Sequence, residues 1–100
     1  MAEPKKPHRI HEEAILDLRL GARFYEKRRS GLGQEFVFGV DEAIATIVEA
    51  PQRWPRFFGA RRYLLDRFPY SVIYRVVGDQ VQVLAIAHQQ RRATYWRRRR

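Results

Sequence analysis

The spacing of apolar residues changes once along this 100-residue chain, and the change separates a helical half from a strand half. Between residues 12 and 50, apolar side chains recur every three or four positions, which is typical of amphipathic helices. From residue 61 to residue 88 they alternate with polar residues or form short runs, which is typical of strands. No apolar run approaches the ~18 residues of a membrane-spanning helix. The pattern predicts a single α+β domain over residues 1–100.

The helical half predicts two helices joined by a short link. Acidic residues begin the first helix and basic residues end it, as the helix dipole favours. The glycine-containing stretch Ser30–Gly33 then breaks the chain, and Pro51 ends the second helix. We therefore expect a helical hairpin, preceded by a short strand at His8–Ile10. Residues 1–7 and 97–100 are expected to be flexible.

The second half predicts three strands, at Arg61–Arg67, Tyr70–Val77 and Val81–His88. Residues 52–60 read as a loop whose large aromatic side chains lie over the core. The Gly78-Asp79 pair supplies a tight turn between the last two strands. The strand half is therefore expected to form a small antiparallel sheet on which the helical hairpin packs.

The two faces of the last hairpin differ in polarity. A two-residue turn would pair Ile73 with Leu84 and Ser71 with Ile86. One face is then almost wholly apolar and is expected to lie against the helices: Tyr70, Val72, Tyr74, Val76, Val81, Val83, Ala85 and Ala87. The other face is mixed and is expected to be open to a partner: Ser71, Ile73, Arg75, Gln82, Leu84, Ile86 and His88.

The positive charge of the chain lies almost entirely in its second half. Residues 1–50 carry eight Lys/Arg and nine Asp/Glu, a net charge of −1. Residues 51–100 carry twelve Arg and only Asp66 and Asp79, a net charge of +10. Guanidinium groups bind phosphates and carboxylates and stack on aromatic rings. The asymmetry indicates an acidic partner, either nucleic acid or an acidic protein segment, and the alternative is a solvated basic surface.

His88 is the candidate for acid–base chemistry, since imidazole exchanges protons near neutral pH. Together with Arg91 and Tyr95 it could form a metal-free RNA-cleaving site, in which the imidazole activates a ribose 2′-hydroxyl and guanidinium groups stabilise the phosphorane. The alternative is a histidine that caps a strand end. The chain has no cysteine, and its basic half has only two carboxylates, so we expect no metal or cofactor site.

Several short motifs occur together in a family-specific order. "FPY" enters a "VIY" strand, "VLAIAH" forms the last strand, and an arginine followed by Tyr-Trp comes after it. Upstream, "EAILDL", "FYEKRRSGLGQEF" and "IVEAPQRWP" complete the pattern. Over about residues 10–96 the chain resembles the RelE/ParE superfamily of toxins from type II toxin–antitoxin systems. The resemblance implies a short strand and a helical hairpin packed on a small antiparallel sheet.

The superfamily has two branches with different activities. The RelE-like branch is a metal-independent ribonuclease that cuts messenger RNA on the ribosome, and the ParE-like branch blocks DNA gyrase. A cognate antitoxin silences both. Tyr95 falls where the ribonucleases have a catalytic tyrosine, but Ser71 and Gln89 stand where two catalytic arginines are expected. Each such cation is worth roughly 10²–10³ in rate, so the resemblance favours a ParE-like binding protein over an enzyme.

The sequence therefore predicts a cytoplasmic, ParE-like toxin that binds a protein target such as DNA gyrase and is neutralised by a cognate antitoxin. The first alternative is a RelE-like messenger ribonuclease that uses His88, Arg91 and Tyr95. The second is a degenerate, non-toxic binding module. The residues predicted to bind the partner are Arg61, Arg62, Ile73, Arg75, Leu84, Ile86, His88, Arg91, Arg92, Tyr95 and Trp96.

Overall fold

The computed structural model describes residues 8–92 and 94–99, which form a helical hairpin packed on a five-stranded sheet. The elements are β1 His8–Ile10, α1 Glu12–Arg28, α2 Leu32–Glu49, β2 Arg56–Phe57, β3 Ala60–Leu64, β4 Tyr70–Val77 and β5 Gln80–His88. The strand order is β1-β5-β4-β3-β2, with β1 parallel to β5 and every other pair antiparallel. In these residues no helix is both long enough and apolar enough to cross a bilayer.

The predicted α+β architecture is confirmed, including the short first strand and the helical hairpin. Two strand predictions were incomplete. β2 falls within the stretch 52–60 that was expected to be a loop, and β3 ends at Leu64 instead of Arg67. The sheet is mixed because β1 pairs with β5 in parallel.

The two helices approach each other closely where α2 begins. A Cβ atom on Gly33 would clash with the carbonyl oxygen of Ala22 on α1. At the same place the Glu26 carboxylate of α1 accepts hydrogen bonds from the backbone N–H groups of Gly31 and Gly33, each at 3.0 Å. A side chain of α1 therefore satisfies amides that the start of a helix leaves without partners.

A β-bulge in β5 interrupts the register of the last hairpin. Tyr74 pairs with Val83, whereas the next residue back along β4, Ile73, pairs with Ala85. Leu84 is the extra residue, and an extra residue reverses the alternation of side chains beyond it. The expected pairings of Ile73 with Leu84 and of Ser71 with Ile86 are therefore wrong, since Ser71 pairs with Ala87, although the pairing nearer the turn is as predicted.

The bulge exchanges the faces of the last four residues of β5. Ile86 packs in the core beneath the helices, whereas Ala85 and Ala87 belong to a second apolar cluster on the opposite face. His88 pairs with Tyr70, and their rings contact edge to face at 5.0 Å. Ala85 and Ala87, which were expected on the helix side, therefore lie on the opposite face. Ile86 and His88, which were expected on the open face, lie on the helix side.

The face expected to be open is covered by the chain itself. The C-terminal segment (residues 94–99) lies on it, and Trp96 is buried in the second cluster together with Ile73 and Leu84. Those two residues and Ile86 are at most 4% exposed. A partner therefore cannot reach these three aliphatic side chains in this conformation, contrary to expectation.

Gly33→Ala is expected to lower the free energy of unfolding by about 1–3 kcal/mol, because the added methyl group meets backbone rather than a flexible side chain. Chemical denaturation measures the change. Gly39→Ala is the matched control within α2, since its Cβ would lie 4.0 Å from the Phe68 ring. It should stabilise the chain by about 0.5–1 kcal/mol, and equal stability of the two variants would contradict the close helix contact.

Candidate functional site

A cleft with a basic rim lies where β4 begins and β5 ends. It has a volume of about 140 Å³. We call it the basic cleft, lined by Arg62, Ser71, His88, Arg91, Arg92 and Trp96 among others. Within the described ranges, none of the three arginines takes part in an ion pair. The cleft therefore presents uncompensated positive charge beside an apolar lining, which suits an acidic ligand.

A second hollow lies on the other side of His88, against α1. It has a volume of about 240 Å³ and is called here the helix-side hollow. Leu20 and Phe24 of α1 line it together with Tyr70 of β4. His88 and Arg91 line both the hollow and the basic cleft, so these two residues form the boundary between the cavities.

The hydrogen bonding of His88 limits what its imidazole can do. Its Nδ1 accepts a hydrogen bond from the backbone N–H of Gln90 at 3.1 Å. In the neutral imidazole the proton is then on Nε2, which makes Nε2 a donor. In this arrangement His88 can donate a hydrogen bond to a phosphate or carboxylate, but it has no free lone pair with which to remove a proton.

The hydroxyl of Tyr95 is held at the edge of the helix-side hollow, because its acceptor Asp17 lines that hollow. This hydroxyl donates to Oδ2 of Asp17 at 3.2 Å, and the Tyr95 ring lies between the guanidinium groups of Arg91 and Arg99, at 3.6 Å and 4.8 Å from its centroid. Burial, with the nearby Asp17 carboxylate, raises the pKa of Tyr95 to about 12. It does not line either cavity that contains His88 and Arg91. The three residues of the predicted ribonuclease site therefore do not line one cavity together, although Tyr95 contacts Arg91.

Asp17 of α1 holds the C-terminal segment against the sheet. Its Oδ2 atom accepts from the backbone N–H of Ile86 at 3.1 Å and from Nη1 of Arg99 at 2.6 Å. Arg99 also donates to the carbonyl oxygen of Leu84 at 3.1 Å. The pairing of β5 with β1 ends at Val83. The N–H group of Ile86 and the carbonyl group of Leu84 lie on the same edge of β5, beyond that point. The Asp17–Arg99 pair thus replaces a neighbouring strand at this edge.

The sequence carries a signal for Asp17 beyond a favourable charge near the start of α1. Asp17 lies between Ala14 and Gly21 on the buried face of α1, and a buried carboxylate requires donors. Its partner could not be found in the same way, since Arg99 belongs to a run of arginines expected to be flexible. Arg99 instead has a side chain that is only 10% exposed.

The predicted binding residues divide into those at the basic cleft and those elsewhere. Arg62 lies at the cleft with its guanidinium 4.2 Å from the Phe57 ring centroid. Arg61 instead donates to the carbonyl oxygen of Trp54 at 2.7 Å and so supports the loop after α2. Arg75 bonds Gln82 across the hairpin and does not line the cleft. The structure therefore groups Arg62, His88, Arg91 and Arg92 with Trp96, and separates Arg61, Arg75 and Tyr95 from them.

Sequence reasoning missed an exposed apolar row on α1. Leu16, Leu20 and Phe24, called here the α1 stripe, are 53%, 62% and 48% exposed. Their four-residue spacing places them on one side of the helix. The sequence could have revealed this row, because its three apolar residues fall outside the helical positions that form the core-facing side of α1. The stripe continues into the helix-side hollow through Leu20 and Phe24.

Comparison with models of known protein families gives one match over most of the chain. The model of the ParE toxin of the type II toxin–antitoxin system parDE matches residues 9–93. The chain belongs to the ParE toxin family. The resemblance to RelE/ParE toxins is thereby confirmed. No curated protein gives a significant match.

A solved structure supports the same fold for this ParE-family chain. It is described as the chromosomal ParDE TA system from P. aeruginosa and shares 21% sequence identity with a TM-score of 0.72. The alignment covers 84% of this chain and 96% of that one. No group of three or more acidic or histidine side chains in residues 8–92 and 94–99 is placed to hold a metal ion.

Arg99→Gln is expected to release the C-terminal segment and to destabilise the protein by roughly 3 kcal/mol, because the Asp17 carboxylate loses its cation. In a Trp54→Phe background, the fluorescence of Trp96 should shift to longer wavelength as the indole becomes solvated. Arg98→Gln is the matched control, since Arg98 is exposed. An unchanged Trp96 spectrum in the Arg99 variant would show that the ion pair does not hold the segment.

Proposed function

We propose that this ParE-family chain is the toxin of a type II toxin–antitoxin pair, that it acts in the cytoplasm by binding a protein target, DNA gyrase, and that a cognate antitoxin neutralises it. The observation that carries the proposal is the basic cleft. Arg62, Arg91 and Arg92 present three guanidinium groups that are free of ion pairs within the described residues. Such a surface suits an acidic protein segment.

The side chains around the cleft favour binding over cleavage. The Nδ1 atom of His88 accepts a hydrogen bond from the backbone N–H of Gln90. The hydroxyl of Tyr95 donates a hydrogen bond to Asp17, outside the basic cleft. Ser71 and Gln89 supply no charge where the ribonucleases of the superfamily place arginines. Proton transfer and phosphorane stabilisation both need groups that converge on one phosphate. We therefore place the ribonuclease second.

The ribonuclease alternative retains one supporting observation. His88, Arg91 and Arg92 line the same cleft, and they could hold the phosphodiester of single-stranded RNA. A non-toxic binding module is the third possibility, and it would use the same cations without any effect on growth.

Expression of the chain without an antitoxin should arrest growth, and the purified chain should inhibit DNA supercoiling by gyrase while cellular messenger RNA stays intact. Primer extension checks the RNA. Arg91→Ala/Arg92→Ala should raise the concentration for half-inhibition at least tenfold, since rim charges steer and hold an acidic partner. Arg97→Ala/Arg98→Ala removes the same charge from exposed neighbours outside the cleft and should have little effect.

Each alternative has its own contrary result. Codon-positioned cuts in messenger RNA that disappear in His88→Ala would establish the ribonuclease and overturn the gyrase proposal. Normal growth during expression of folded protein would establish the non-toxic module.

The α1 stripe is the surface that we assign to the antitoxin. The aliphatic residues predicted to bind it are buried, Ile73 and Leu84 under the C-terminal segment and Ile86 beneath the helices, whereas the three side chains of the stripe are exposed. Arg19 and Arg23 are exposed on the same helix, and Arg91 lies at the adjoining hollow. An amphipathic segment with apolar and acidic residues would complement this surface.

Leu20→Ser should weaken binding of the antitoxin about tenfold or more, because burial of a leucine side chain is worth about 1.5–3 kcal/mol. The partner to test is the product of a small acidic reading frame next to this gene, titrated against the purified toxin. Phe38→Ser removes a similarly exposed residue from α2 and is the control. Equal affinity of both variants would exclude the α1 stripe as the antitoxin surface.

A further inference from the structure

The tip of the β2–β3 hairpin breaks a local rule of turn geometry. Phe57 pairs with Ala60, so Phe58 and Gly59 form a two-residue turn. Both have positive φ, 50° for Phe58 and 82° for Gly59. Two positive φ values are the signature of a type I′ turn, in which Asn-Gly is the preferred pair.

Phenylalanine is a costly residue at this position. The left-handed region brings Cβ close to the following carbonyl oxygen, at a cost of about 1–2 kcal/mol for an ordinary residue. Among residues 8–92 and 94–99, Phe58 is the only residue other than glycine with positive φ. The turn would form more easily with asparagine or glycine at position 58.

The fold gains little packing in return for this strain. The Phe58 side chain is 55% exposed, and its ring contacts the Phe57 ring edge to face at 4.9 Å. It belongs to neither of the two buried clusters. A strained residue that does not support the core indicates a functional constraint.

The neighbours of Phe58 connect it to the basic cleft. Phe57, which Phe58 contacts, lines the cleft, and the guanidinium group of Arg62 lies over the Phe57 ring. Arg56, on the other side of the turn, is exposed. Phe58 is therefore an exposed aromatic ring next to Phe57 and Arg62 at one end of the basic cleft. Aromatic rings and arginines are the residues that dominate binding energy at protein interfaces.

We propose that Phe58 anchors the toxin to its protein target by inserting its ring into an apolar pocket that acidic residues surround. The inference rests on the proposed function and deepens it by naming the chemistry that the target must present. The acidic residues would pair with Arg62 and the other cations of the cleft, while the pocket buries the exposed part of the Phe58 ring. The backbone strain holds the ring outward before binding, which reduces the ordering that binding requires.

The geometry favours a protein over a nucleic acid at this tip. Bases bind to proteins by stacking on flat aromatic platforms, commonly several in a row. Here Phe57 is not free for a base, since Arg62 covers its ring at 4.2 Å and Trp96 is tilted against it at 6.3 Å. At this hairpin tip the exposed ring is that of Phe58, and a single exposed ring suits an apolar pocket on a protein.

The test is Phe58→Asn, because it should change stability and function in opposite directions. Asparagine fits the left-handed turn, so the melting temperature should rise by about 4 °C or more. The concentration for half-inhibition of gyrase supercoiling should rise about 30-fold, as for the loss of a hot-spot aromatic residue. Phe58→Trp keeps an aromatic ring at this position and should inhibit gyrase supercoiling as the unaltered chain does. Val77→Asn, at the exposed tip of the β4–β5 hairpin, should leave inhibition unchanged.

The outcomes separate the inference from the proposed function. If the unaltered chain inhibits gyrase and Phe58→Asn inhibits it equally, the inference alone is wrong. A lower melting temperature for Phe58→Asn would show that the ring serves the fold. If the unaltered chain does not inhibit gyrase, the proposed function fails and the inference fails with it. Loss of messenger RNA cleavage in Phe58→Asn would instead assign the ring to an RNA ligand and overturn the inference.

Discussion

The carboxylate of Asp17 links three parts of the molecule that would otherwise be separate. It projects from α1, accepts the backbone N–H of Ile86 in β5, and binds Tyr95 and Arg99 of the C-terminal segment. A buried carboxylate is stable only when donors and cations surround it, so the position of Arg99 and the unpaired end of the β5 edge depend on each other. This arrangement holds the C-terminal segment against the sheet face that Trp96 covers.

The accessible surface is consequently different from the one that the hairpin pattern predicts. The bulge at Leu84 turns Ile86 toward the helices, and Trp96 covers the aliphatic residues that remain on the other face. The surface that stays accessible includes the charge at the cleft and the apolar side chains of the α1 stripe and the Phe58 tip. Under the proposed function, the antitoxin would bind on α1 and the target at the end of the sheet.

Much of the fold could be predicted because its signals are local. Helical spacing, the glycine link and Pro51 determine the helical hairpin, and alternation around Gly78 determines the last strand pair. Of the candidate site, the sequence predicts the cations at positions 62, 91 and 92 and His88, since they cluster near the ends of predicted strands, and the structure brings these four residues to one cleft. The sequence places Arg61 on the same surface as Arg62 because the two are adjacent. It does not show that Arg61 donates a hydrogen bond to the carbonyl oxygen of Trp54 instead.

The sequence by itself determined the class of fold, the charge asymmetry and membership of the toxin family, because periodicity, composition and motif order are properties of the chain. Tertiary structure alone decided which residues are accessible. A bulge depends on how two strands pair, the partner of Asp17 lies 82 positions away at Arg99, and the strain at Phe58 depends on the two-residue turn that closes β2 and β3. Each of these depends on long-range pairing or backbone geometry, which no local pattern records.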